Sequence, residues 1–143
     1  MCTKLRRMPS PANHLVFHGA LLVLVGLLAG IPFARAIKTQ GREVAWRVVH
    51  SGSTMAGILL IALAAVAPKL QLPAWAISTF AWSMIAGSDV FVIAMVIAAV
   101  TGARGLGRGG SATNTAVLVL YQAGAVLTLV ASSLLVLGAA RAP

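Results

Sequence analysis

Four stretches of this 143-residue chain are long and apolar enough to cross a bilayer: roughly 14–34, 48–67, 74–101 and 114–140. About 20 apolar residues of helix span the ~30 Å hydrocarbon layer. Four such runs in so short a chain define an all-α fold, an integral membrane four-helix bundle forming a single membrane domain over residues 1–143. Composition supports this. With 59% hydrophobic and 9% charged residues, there are too few polar side chains to clothe a water-soluble domain.

The first run is longer than the apolar region of a signal peptide. It ends in Ile31-Pro32 and charged residues, without a small-residue cleavage site, so it is expected to stay in the mature protein. Cys2 is the only cysteine, which rules out an intrachain disulfide and a cysteine metal site. The formal charge of +9 comes from eleven Lys and Arg placed in the tails and connections. There they meet lipid headgroups, so the basic balance points to the membrane surface and not to nucleic acid. Lys4, Arg6, Arg7, Lys69 and Arg141 lie on one side, and Arg35, Lys38, Arg42, Arg47, Arg104 and Arg108 on the other. Five against six leaves the orientation open.

Prolines and glycines punctuate the runs. The first helix is expected to close at Pro32, followed by a basic loop, and the second to stop near Pro68. A tight PKLQLP connection leads to the third, which is long enough to tilt or to project into the interface at Trp75. The glycine-rich TGARGLGRGGSATN has no preceding strand and no lysine at phosphate-loop spacing, so it reads as a flexible connector. Gly26 with Gly30, and Ser53 with Gly57, repeat at the four-residue spacing that lets helix backbones approach closely in lipid.

A polar side chain inside hydrocarbon needs a partner or a purpose. The candidates are His18, His50, Asp89, Tyr121 and Gln122. At a rise of ~1.5 Å per residue, His50 and His18 differ in depth by roughly 15 Å, too far to ligate one metal together. Counting inward from the glycine-rich loop places Asp89, Tyr121 and Gln122 in the half of the bilayer that holds His50. Ser53, Thr54 and Gly57 follow His50 by three, four and seven residues and share its face, leaving room beside the imidazole for a bulky group. His50 can be a headgroup or interhelical hydrogen-bonding residue, or a metal ligand. Asp89, the one acid within a span, can be a functional carboxylate or a neutral acid satisfied by Ser88 or backbone.

Two segments carry a family resemblance. Helix one contains HGALLVLVGLLAG, with His18-Gly19, Leu27-Leu28 and Gly30; helix two contains Trp46, His50-Ser51-Gly52, Gly57 and the terminating Pro68. In these the chain resembles the styrene oxide isomerase family, small four-helix membrane enzymes that convert aryl epoxides to aldehydes. The resemblance implies that His50 is the axial ligand of a haem b held between adjacent subunits of a homotrimer. Ser51 and Thr54, near His50 in sequence, are the expected further cofactor-binding residues, and a bacterial inner membrane is the expected location. It also implies a ferric iron acting as a Lewis acid on a hydrophobic epoxide, with a 1,2-shift giving an aldehyde or ketone and no net redox change. The chain departs from the family at Ala56, where relatives carry an asparagine, and in a third helix without tyrosine. Asp89 and Tyr121 are the residues that can stand in as catalytic groups.

Two other classes remain open on the residues alone. One is a non-catalytic haem-binding or assembly subunit of the membrane. The other, a small proton-coupled transporter, is disfavoured because helix one lacks the acidic residue such exporters use.

Overall fold

The computed structural model describes residues 10–107 and 110–141, so Cys2, Lys4, Arg6, Arg7 and Arg108 lie outside the described residues. Four long helices run in sequence: α1 (Pro11–Lys38), α2 (Glu43–Val66), α3 (Ala74–Thr101) and α4 (Ala112–Ala140). All four are long and apolar enough to cross a membrane, and the described residues contain no strand. Within lipid a helix satisfies its backbone internally, which is why apolar runs of this length take that form.

The ends follow local chemistry. Pro11 sits in the first turn of α1, where its missing N–H costs nothing. Contrary to the expected stop, α1 runs through Pro32 to Lys38. A proline removes one backbone donor, but stopping there would leave a whole turn of carbonyls unbonded at the membrane edge, so continuation is cheaper. The helix ends once Arg35 and Lys38 reach its negative terminus. Gln40 takes a left-handed φ of 50°. The Gly41 N–H returns to the Ala36 carbonyl at 2.9 Å and closes the end.

Helix α2 ends in a short 3-10 turn, Ala67–Lys69, containing Pro68. Gly102, with φ 81°, stops α3, and the Ser111 hydroxyl caps α4 by accepting from the Asn114 N–H.

Packing divides the bundle into two tight pairs, α1 with α2 and α3 with α4, and α3 joins them by touching both α1 and α2. Helix α3 carries ten buried residues against six, six and four on α1, α2 and α4, so it forms the centre. Its apolar character all round fits that place. The core runs through Leu15, Leu22, Leu60, Phe80, Met84 and Ile85. A smaller cluster of Ala29, Val49 and Ala99, with Trp46 against it, lies at the α1–α2 loop end. Leu24, Leu27, Ile31, Ile58 and Leu129 face outward, as lipid-facing residues do.

Glycines bring α1 and α2 together. A Cβ on Gly19 would lie 2.8 Å from the Gly57 carbonyl, and one on Gly26 would lie 2.7 Å from the Thr54 nitrogen. The small residues near Gly57 are therefore filled by α1, not left as room for a ligand.

Candidate functional site

His50 lies on the side of α2 that meets α1, half-buried. Its Nδ1 is 2.7 Å from the Gly26 carbonyl oxygen. A carbonyl only accepts, so Nδ1 carries the hydrogen and donates, which leaves the Nε2 lone pair as the free coordinating site. Gly30, one turn along α1, faces the ring: a Cβ there would be 3.5 Å from Nδ1 and 3.6 Å from Cε1. Phe33 closes the third side, its ring near-parallel to the imidazole at 24° with centroids 6.0 Å apart. Phe33 reaches His50 because α1 continues past Pro32.

An imidazole whose Nδ1–H is fixed by a carbonyl is in the state metal-bound histidines adopt, since the second-shell bond sets both tautomer and ring direction. No group of three or more His, Cys, Asp or Glu side chains able to hold a metal ion occurs among the described residues. A lone imidazole suits an iron that brings four in-plane nitrogen ligands with it, which is the chemistry of haem. The donor set therefore fits that group and does not fit a bare ion.

The neighbours on α2 are occupied. The Ser51 hydroxyl donates to the Arg47 carbonyl at 2.8 Å, and that of Thr54 to the His50 carbonyl at 2.7 Å. Ser51 is exposed on the outer surface, whereas Thr54 lies against Gly26 in the α1–α2 seam. Ser53 is fully buried, and its hydroxyl has no partner among the described residues.

Asp89 is not with His50. One of its carboxyl oxygens lies 2.8 Å from His18 Nδ1, joining α1 to α3, and the other is buried without a partner among the described residues. Asp89 is twelve residues from Thr101, about 18 Å along the helix, which carries it past the midplane of a ~30 Å layer and down to His18. Asp89 therefore lies in the half of the bilayer opposite the one that counting inward from the loop predicts. His18 in turn is an interhelical partner and not an isolated interfacial histidine, and its ring stands nearly perpendicular to that of Phe17.

Tyr121 occupies a third place. It sits beside Phe91, with ring centroids 6.1 Å apart, on a cleft of about 780 Å³ also lined by Arg42, Val48, Met95, Ala98 and Arg104. The cleft exists because α2 and α4 do not pack closely on one another. Gln122, the next residue, is exposed on the outer face. Val48 lines the cleft and His50 does not. Two residues apart on a helix, they point roughly 160° from each other, so the cleft and the imidazole lie on opposite sides of α2.

Sequence reasoning singled out His50 but missed Gly26, Gly30 and Phe33, which hold it. Gly26 was visible only as part of a packing repeat, and Gly30 as part of that repeat and of the family segment. Phe33 was hidden by the helix end assigned at Pro32.

The fold and site together define a multi-pass membrane protein with one imidazole held between its first two helices and ready to act as a ligand. Residues 11–140 match the styrene oxide isomerase family, and the chain belongs to it. No curated protein matches the chain.

Proposed function

We propose that this protein is a haem b-dependent isomerase of hydrophobic epoxides, aryl epoxides in particular, acting within the bilayer. The observation that carries the reading is the 2.7 Å bond from His50 Nδ1 to the Gly26 carbonyl, which leaves Nε2 available in an apolar helix pair. Family membership over residues 11–140 supports an isomerase reaction class. Haem bound through His50 supplies a Lewis-acidic ferric iron, able to promote C–O cleavage and a 1,2-shift to the carbonyl compound without net oxidation.

The chain's own residues supply the rest. The Gly26 carbonyl holds the imidazole in the correct tautomer and makes it a better donor. Arg47, exposed one turn nearer the loop on the same helix, would be the cation available to an acidic group of the cofactor. Outward-facing Leu27 and Ile31 keep the surroundings apolar, so a hydrophobic epoxide arrives from lipid and water that would form a diol is excluded. Tyr121 lines the α2–α4 cleft together with Arg42 and Arg104, on the opposite side of α2 from the imidazole, and so stands apart from the His50 site of its own subunit. Asp89, engaged with His18, serves to hold α1 against α3.

His50 is only half-buried, and Arg47 and Ser51 beside it on α2, like Leu27 and Ile31 of α1, are exposed, so the imidazole borders the outside of the bundle. A second copy of the chain is needed to cover it. A homotrimer with the cofactor between subunits satisfies that need, because a head-to-tail contact closes into a ring.

The test is spectroscopic and catalytic. Purified protein supplied with haem is expected to show a Soret band that His50→Ala abolishes, and to convert styrene oxide to the aldehyde. A His50→Ala variant with an unchanged spectrum removes His50 from the site. Haem binding with no turnover of any of a panel of epoxides supports the non-catalytic haem subunit instead.

A further inference from the structure

Three residues of α1 converge on one ring. Gly26, Gly30 and Phe33 stand at i, i+4 and i+7, one stripe of the helix, and meet the His50 imidazole as a carbonyl, an open floor and a phenyl wall. A single hydrogen bond at Nδ1 sets the direction of the ring but still tolerates a partial swing about the bond joining it to Cβ, because hydrogen bonds accept a range of angles. A flat group lying near-parallel, at 24° and 6.0 Å, blocks that swing.

Location gives Phe33 a second effect. His50 is seven residues from the start of α2, about 10 Å from the loop end, where headgroup water penetrates. Phe33 stands on the loop side of the imidazole, since it follows Gly30 toward Lys38. It thereby shields the Nδ1–H bond from that water, and a hydrogen bond in a drier setting is stronger.

We propose that Phe33 is a positioning residue for His50, fixing the imidazole plane and protecting its bond to the Gly26 carbonyl. Phe33 thereby sets the ligand field that His50 offers to iron. The second half rests on the haem reading above; the first does not.

The experiment has an arm for each half. In haem-free protein labelled with ¹⁵N-histidine, the His50 Nδ1–H resonance is expected to be sharp and slow to exchange with solvent. It should broaden and exchange faster in Phe33→Ala, with intermediate behaviour in Phe33→Leu and recovery in Phe33→Tyr. In haem-loaded protein, Phe33→Ala is expected to bind haem to the same stoichiometry. It should give broadened electron paramagnetic resonance lines, a higher ferric/ferrous potential, and roughly three- to tenfold faster transfer of haem to apomyoglobin. Phe33→Leu keeps apolar bulk and serves where the alanine variant fails to fold, as judged by circular dichroism. Unchanged exchange of Nδ1–H in both variants overturns the proposal. Altered exchange in a protein that shows no Soret band upholds the positioning role and defeats the haem reading alone.

Discussion

Two glycines one turn apart on α1 should respond oppositely to the same added methyl. In Gly26→Ala the new carbon would stand 2.7 Å from the Thr54 nitrogen and 3.0 Å from the His50 carbonyl oxygen, with the Thr54 hydroxyl closer still. Relaxed contact between such atoms needs about 3.5 Å, so α1 must retreat from α2 by about 0.8 Å. The obstacle includes backbone, which cannot rotate aside. The Nδ1–Gly26 bond of 2.7 Å would then stretch to about 3.5 Å, beyond useful hydrogen-bond length. Overpacking of this kind costs about 1–3 kcal/mol, and loss of the bond that orients a metal-bound histidine lowers affinity about 10- to 100-fold. In Gly30→Ala the methyl would sit 3.5 Å from Nδ1 and 3.6 Å from Cε1, an ordinary contact that needs no shift. Haem affinity measured by competition with apomyoglobin, together with thermal unfolding in detergent, should fall for Gly26→Ala and hold for Gly30→Ala. Equal affinities in the two variants, or a larger loss at Gly30, would refute the account of how His50 is held.

Two further perturbations probe the bundle. Asp89→Leu alone strands His18 and is expected to cost about 1–2 kcal/mol, while the double variant His18→Phe, Asp89→Leu recovers most of it. Thermal unfolding of the two single variants and the double decides this, and strictly additive losses would show that the pair is uncoupled. Arg42 donates to the Ala99 carbonyl at 3.1 Å and to that of Val100, tying the α1–α2 loop to the last turn of α3. Arg42→Ala is expected to speed trypsin cleavage at Arg104 several-fold, in keeping with about 1 kcal/mol per lost bond, and an unaltered digestion rate would count against that tether.

The four spans were legible because their signal is local: twenty or more apolar residues in lipid leave the backbone one solution. The third helix falls at 74–101 on both readings. Its neighbour α1 did not fall where expected, because a proline within a membrane helix interrupts one bond without ending the helix. That difference of a turn conceals Phe33. The partner of Asp89 was hidden for another reason, since His18 lies 71 positions away and nothing local marks the pairing. Gly26 is the clearest case: what it gives His50 is a backbone oxygen, which any residue possesses. Its selection as glycine reflects only how near the two helices must come for that oxygen to be in reach.

Division of labour between the helix pairs follows from these contacts. Helices α1 and α2 close through glycine until carbonyl and imidazole meet at 2.7 Å, so the ligand geometry depends directly on backbone separation and tolerates little error. The cleft with Tyr121 is bordered by α2, α3, α4 and the loop after α3, away from the imidazole, where substitution changes shape without moving the ring. Asp89 and His18 connect the two pairs on the far side of the midplane from His50. A polar clasp placed there fixes α3 against α1 while leaving the His50 side free of competing charge. Had Asp89 lain beside His50, a carboxylate would have competed with the Gly26 carbonyl for Nδ1–H and drawn the ring away from α1. Keeping the one intramembrane acid in the opposite half leaves the Nδ1–H to a weak acceptor held in place by glycine packing.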